Sequence, residues 1–522
     1  MKKLSYKRYN SYFKLNAKKY SFLINLCVLI LALSCNKNIA QTSFKPAQQN
    51  PNIIVIILDD QGYADVGFQQ LPASSQVLTP NINKLSESGI TFTNAYVSSS
   101  TCAPSRASLL TGRSSSRFGV EENGTTGPPV SEIIIPRAIN NLGYKTAAIG
   151  KWHLGEETKG MLTIDRGFDY YWGDIGYNKD YLMNRIPQPP VWASQPRSAN
   201  EAYLPNAYTD EAVAFIERSK DQPFFLYLAH NAPHSPFRTT RELLERVVAE
   251  RPEWAPVYER MKLETNKWKE DKYDFGKFKG TDLDQEIIRL TYISMLLSAD
   301  DSVGKIVETL ETNNLRENTL IFYLSDNGAA LARPNDLGGV NLPLRSGKGS
   351  VYDGGVRVPF VMSWPGTLKE GTKSDMMISS LDIFSTTVEL AGGTVPKDRV
   401  IDGVNLIPYL TGTKDGEPHK ALFFRRKDRG FWAIRSGNYK WVYSKSKKAN
   451  AREPKEGGLY EVGVDWTEVN DLSADSPEIR KNLTKMFEQL TKDVREAVPQ
   501  LSEKKGENKK LRKEQKEKKS NK

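Results

Sequence analysis

NIIVIILDD, residues Asn52 to Asp60, runs six consecutive apolar residues straight into two adjacent carboxylates. Unbroken apolar character, rich in β-branched residues and without alternation, predicts a strand covered on both faces. Three further stretches repeat the pattern of an apolar run ending in polar residues. They are YKTAAIGKWH (Tyr144–His153), PFFLYLAHNAPH (Pro223–His234) and TLIFYLSDNG (Thr319–Gly328). Helical patterns separate them. Thr79 and Pro80 read as an N-cap and first-turn pair ahead of NINKLSES, which Gly89 ends. IPRAINNLG has Pro136 at its start and Gly143 at its end, and an amphipathic stretch runs from about Asp284 to Thr312. Strands alternating with helices predict an α/β fold, a large mostly parallel sheet flanked by helices. Ligands of such sheets bind beyond the carboxyl ends of the strands, so the four polar tips are expected along one edge.

The pattern changes after Gly412. ALFFRR, FWAIRSG, YKWVYS and GLYEV read as short strands of a smaller antiparallel sheet, closed by a helix from Pro477 to about Val494. The expected organisation is a leader (1–35), a linker (36–50), a main domain (51–412), a C-terminal subdomain (413–498) and a basic tail (499–522). Of the net charge of +11, residues 1–20 carry +7 and residues 502–522 carry +6, which leaves −2 for the body. A nearly neutral body argues against nucleic acid as a partner. The lysine-rich tail has almost no apolar residue and reads as a solvated, disordered segment.

Phe22 to Leu33 is an apolar run of 12 residues behind a basic stretch, too short to span a bilayer and suited to a signal peptide. ALSCN follows. It resembles a loose lipoprotein box, with Cys35 as the residue that would be lipidated; ordinary cleavage near Ala40 is the alternative. Export to the periplasm or cell surface is expected, with a membrane contact only through such an anchor. Cys27 and Cys35 belong to this leader, so Cys102 is the only thiol of the body and has no disulfide partner there.

Asp59 and Asp60 at a buried strand end repel each other and lose hydration unless a cation neutralises them. Asp326 and Asn327 end another strand. Four oxygen-bearing side chains without sulfur or imidazole suit a hard cation, Ca²⁺ or, less well, Mg²⁺. Cys102 stands at the start of a helix that Gly112 stops, and a helix N-terminus favours negative charge beside it. Arg106 lies one turn further on the same face.

CAPSRASLLTGR, Cys102 to Arg113, resembles the signature of the type I sulfatase family, C-x-P-S-R-x-x-x-L-T-G-R, at Cys102, Pro104, Ser105, Arg106, Leu110, Thr111, Gly112 and Arg113. GKWHLG, NAPHSPF, SDNG and GKGSVYDGGVRVPF follow in family order, and the likeness covers roughly residues 50–490. The resemblance implies an alkaline-phosphatase-like fold and hydrolysis of sulfate esters. It implies that a maturation enzyme oxidises Cys102 to formylglycine (3-oxoalanine), whose hydrate attacks sulfur and then expels sulfate. Asp59, Asp60, Asp326 and Asn327, with residue 102, match the calcium ligands. Arg106 matches the residue that steadies the hydrate, and Lys151 and His153 the pair beside it, His153 as the base of the elimination. His234 and Lys348 match the groups that hold sulfate and protonate the leaving oxygen; Lys151 shares in binding the substrate. Singly, each histidine reads more simply as structural and Lys348 as a solvated charge; their joint order reverses that. His230 is expected to be structural, with substrate contact open, and His419 to lie at the surface.

Trp172 and Tyr177 could stack on sugars, and Arg333 and Arg345 could meet a uronate or a second sulfate; core packing and plain exposure are equally open. A sulfated polysaccharide such as ulvan, carrageenan or fucan, or a host glycosaminoglycan, is the expected substrate. A phosphatase or phosphonate hydrolase of the same fold, or an inactive glycan-binding relative, is the alternative.

Overall fold

The computed structural model describes residues 50–124, 127–155, 160–173, 203–269, 271–275, 284–331, 337–426, 430–445 and 457–495. The leader with Cys35, Tyr177, Arg333 and the basic tail lie outside the described residues. Eight strands make the main sheet: β1 (Asn52–Leu58), β2 (Ile90–Phe92), β3 (Lys145–Gly150), β4 (Tyr170–Trp172), β5 (Phe224–Ala229), β6 (Thr319–Ser325), β7 (Phe360–Ser363) and β8 (Thr372–Ser374). Their order is β8-β2-β7-β6-β1-β5-β3-β4. β4, β3, β5, β1 and β6 run parallel, as do β2 and β8, while β7 is antiparallel to both β6 and β2.

The period of two along β1 splits its side chains between two cores. Ile53, Val55 and Ile57 join Phe225, Tyr227 and Phe322 on one face. Ile54, Ile56 and Leu58 join Leu226, Leu228 and Ile321 on the other. This is why the strand shows no alternation in sequence. The first core holds the helix α1 (Cys102–Thr111) through Ala103, Ala107, Leu109 and Leu110. The second holds the helix α2 (Gln285–Thr312), whose N-cap Asp284 accepts the amides of Glu286 and Ile287 at 3.0 and 3.1 Å. No helix among the described residues is long and apolar enough to cross a membrane.

A second sheet holds β9 (Leu422–Arg426), β10 (Phe431–Ser436), β11 (Tyr439–Ser444) and β12 (Gly458–Glu461), all antiparallel. The helix α3 (Pro477–Leu490) packs Leu483 and Phe487 on it, with the Trp432 and Phe487 rings stacked. A buried ion network joins this sheet to the main domain: Lys440 on β11 lies 2.6 Å from Asp353 and 2.9 Å from Glu468.

Two aromatic and histidine expectations resolve toward the interior. Trp172 packs edge-on to Tyr208 in the second core, away from any sugar-binding role. His419 is buried, contrary to the surface expectation, with Nε2 2.8 Å from Asp382 Oδ1. Asp382 has no solvent and needs a cation as well as the amides of Ser379 and Val404 that it accepts.

Candidate active site

Strand register brings the chemistry to within one residue of a common level. Leu58 pairs with Ser325, Ile57 with Ala229 and Ala229 with Gly150, so Asp59, Asp326, His230 and Lys151 all come next. The ladder continues one residue into the tips, with the Asp326 amide donating to Leu58 O, His230 to Ile57 O and Lys151 to Ala229 O. Gly150 has φ of 101°, and a Cβ there would fall 2.0 Å from Ala229 O, so the chain can turn to Lys151 only through glycine. Asp60 and His153 take left-handed φ of 64° and 58°, strain of the kind that clusters at functional positions.

Cys102, buried at the first position of α1, meets the tips of β1. Its Sγ lies 3.3 Å from Asp59 Oδ1 and 3.9 Å from Asp60 Oδ1, and Lys348 Nζ donates to it at 3.0 Å. Arg106, without solvent exposure, sets Nη2 2.8 Å from Asp326 Oδ2 and 3.7 Å from Asp59 Oδ1, and Nη1 donates to Lys151 O. Lys151 Nζ donates to Asp59 at 2.5 Å and Lys348 Nζ to Asp60 at 2.6 Å. His234 Nε2 stands 3.5 Å from Asp60 Oδ2. Asn327 Nδ2 donates to Asp60 at 2.7 Å, while the buried Asn327 Oδ1 has no hydrogen-bond partner.

A sequence model of the sulfatase family matches residues 51–393, and one for the C-terminal part of N-sulphoglucosamine sulphohydrolase matches 347–497. The chain belongs to the sulfatase family. It is a sulfate ester hydrolase. It is 33% identical to human N-acetylgalactosamine-6-sulfatase over 77% of this chain and 73% of that one. It is 28% identical to the uncharacterized sulfatase YdeN of Escherichia coli, over 89% and 90%. The crystal structure of Ps i-CgsB with k-i-k-neocarrahexaose superposes with a TM-score of 0.71 at 30% identity, over 89% of this chain and 97% of that one.

In this sulfatase the predicted residues come together as one cluster. Ligand atoms of Asp59, Asp60, Cys102 and His234 lie within 4.8 Å of one another, the one such metal-competent group among the described residues. Asp326 and Asn327 join through the hydrogen bonds above. The donor set fits a hard cation: carboxylate oxygens converge, and the orphaned amide oxygen of Asn327 lacks the partner that a buried acceptor requires.

Burial opposes the charge of Asp59, but Lys151, His234, Arg106 and Lys348 outweigh it and hold the carboxyl well below the usual range. Burial and the neighbouring Asp59 push Asp326 up to about 6 against the pull of Arg106. Burial also works against Lys348, yet Asp60, Cys102, Asp59 and Asp326 keep its ammonium well above the ordinary lysine value. Burial, then Lys151 and Arg106, press His153 well below the normal histidine value, so its imidazole is neutral at neutral pH. The Cys102 thiol is pushed far up by burial and by Asp326 and Asp59, which leaves an unmodified thiol a poor nucleophile. His230 fits its structural reading: fully buried, Nε2 2.9 Å from Ser302 Oγ, and lowered to about 4 by burial.

Arg345 is committed inward. Its guanidinium lies over the Tyr352 ring at 4.1 Å and donates to Glu468 O at 2.5 Å. Sequence reasoning passed over Asn123, whose Oδ1 accepts the amide of Ala103 at 2.9 Å. Its only signal was an Asn-Gly dipeptide that reads as a turn.

Proposed function

We propose that this sulfatase releases sulfate from a sulfated galactan of the carrageenan type, or from its oligosaccharides, with Cys102 converted to formylglycine and Ca²⁺ as the metal. The observation that carries the reading is the balance of charge around residue 102. Three buried carboxylates, Asp59, Asp60 and Asp326, face three cations, Arg106, Lys151 and Lys348. A divalent cation held by those carboxylates and Asn327 turns a neutral site into a positive one, which suits a sulfate ester. When present, the hydrated aldehyde supplies the nucleophile for sulfur and the cation withdraws charge from its oxygens.

The side chains then divide the remaining work. Arg106, fixed on Asp326, orients residue 102. Lys348 and Lys151 stabilise charge on the sulfate oxygens. His234, at the rim beside Asp60, donates a proton to the departing alcohol oxygen. The neutral His153 accepts the proton whose loss frees sulfate. Burial of every residue from Cys102 to Thr111 supports a maturation enzyme that reads the chain before it folds.

The choice of sugar is supported by the neocarrahexaose held by Ps i-CgsB and by the N-acetylgalactosamine in the name of the mammalian relatives, both galactose-configured. The test is sulfate release from a panel of sulfated oligosaccharides, with the surviving sulfate positions mapped. Carrageenan oligosaccharides are expected to be cleaved; activity confined to glucosamine or fucose sulfates would refute the galactan assignment.

A further inference from the structure

We propose that Asn123 is a positioning residue for the reacting position at Cys102, tied through its neighbours to the C-terminal sheet; this rests on reading residue 102 as the reacting group. The first turn of a helix leaves its amides without partners inside the helix. At α1 the N-cap residue Thr101 makes no side-chain capping bond. Pro104 has no amide hydrogen, and the Ser105 amide already donates to Thr101 O at 3.0 Å. The amides of Cys102 and Ala103 remain. Asn123, from a segment 20 residues along the chain, accepts the Ala103 amide through Oδ1 at 2.9 Å. The cap normally supplied by the residue before the helix comes here from outside it, and the Cys102 amide is left as the donor beside the reacting side chain.

The segment carrying Asn123 is anchored at two points. Glu121 pairs with Arg425 at 3.0 Å, and Glu122 lies 3.5 Å from Arg426. Both arginines belong to β9. Arg426 Nη1 also lies 3.5 Å from Gly349 O, next to Lys348. One strand of the C-terminal sheet thus holds both the segment that caps α1 and the loop that brings Lys348 to Cys102.

Two variants of the full chain separate the cap from mere space filling. Asn123→Asp keeps an acceptor oxygen, and Asn123→Ala removes it. In unmodified protein, exchange of the Ala103 amide is expected to quicken about tenfold in Asn123→Ala and to change little in Asn123→Asp. In mature enzyme, Asn123→Ala is expected to lower kcat about tenfold with KM nearly unchanged. Asn123→Asp is expected to keep kcat and raise KM, because it sets a negative charge against an anionic substrate. Unchanged Ala103 exchange in Asn123→Ala overturns the cap. Equal loss of kcat in both variants overturns the positioning role, since the retained oxygen would then not matter. A wild type that releases no sulfate refutes the enzymatic reading and the positioning role with it, while exchange still decides the cap.

Discussion

Replacing Arg106 by methionine keeps an unbranched stem and removes the guanidinium with its charge. The guanidinium has no solvent exposure; Nε and Nη2 reach Asp326 Oδ2 at 2.9 and 2.8 Å, Nη2 lies 3.7 Å from Asp59, and Nη1 donates to Lys151 O at 3.3 Å. After the substitution Asp326 keeps one hydrogen bond, from the Asp60 amide at 3.2 Å, and faces the charges of Asp59 and Asp60 with only the weaker pull of Lys151 against them. Removing one partner of a buried ion pair costs about 3–5 kcal/mol. Arg106→Lys keeps the charge but loses the planar fork that serves two carboxylates and a carbonyl, so its cost is expected near that of one charged hydrogen bond, about 1.5–3 kcal/mol. Urea unfolding of unmodified protein in calcium-free buffer reads both values, with the order wild type, lysine, methionine. A methionine variant within about 0.5 kcal/mol of wild type, the range of an ordinary surface substitution, would refute the view that Arg106 neutralises the buried carboxylates.

Other consequences are as direct. Burial disfavours the charge of His419, but Asp382 at 2.8 Å outweighs it and raises the histidine above its ordinary value. The stability this pair confers is therefore full below the unfolded histidine pKa and is lost as pH rises through the higher folded one. Urea midpoints of wild type are expected to fall across that window, whereas His419→Gln, starting lower, lacks this step; identical profiles would remove the ion pair from the account. With Ca²⁺ as the proposed metal, calcium should raise the thermal midpoint in proportion to the logarithm of its concentration, because the proposed ligands Asp59, Asp60, Asp326 and Asn327 are assembled only in the folded chain. Asp60→Asn should blunt that rise, and calcium-independent unfolding of the wild type would contradict the site.

The strands and their tips were legible because both-sided burial leaves a plain record: β1, β3, β5 and β6 are apolar runs, and parallel register brings the residues after them to within one position of a common level. The C-terminal sheet was legible from its aromatic and β-branched runs, and helix α1 from its glycine stop, where Gly112 takes φ of 66°. Long-range pairing left no such record. His419 looked like a surface residue because nothing near it in sequence announces Asp382, 37 positions away. Lys440 sits in a strand of ordinary appearance, yet closes a buried network on Asp353, 87 positions away, and Glu468. Asn123 reads as a turn until the fold brings it to Ala103. Trp172 could face sugar or core on sequence alone, and its place in β4 beneath Tyr208 decides for the core. Among the site residues, the carboxylates, Arg106 and the two lysines are drawn into direct contact around Cys102, which fold-independent spacing could not show.

Mass spectrometry of the peptide ending at Arg106 tests the central claim most directly. Protein co-produced with a formylglycine-generating enzyme should carry the aldehyde at residue 102, and sulfate release should rise in proportion to the converted fraction and vanish in Cys102→Ala. Full activity in protein whose residue 102 remains an unmodified thiol would contradict it.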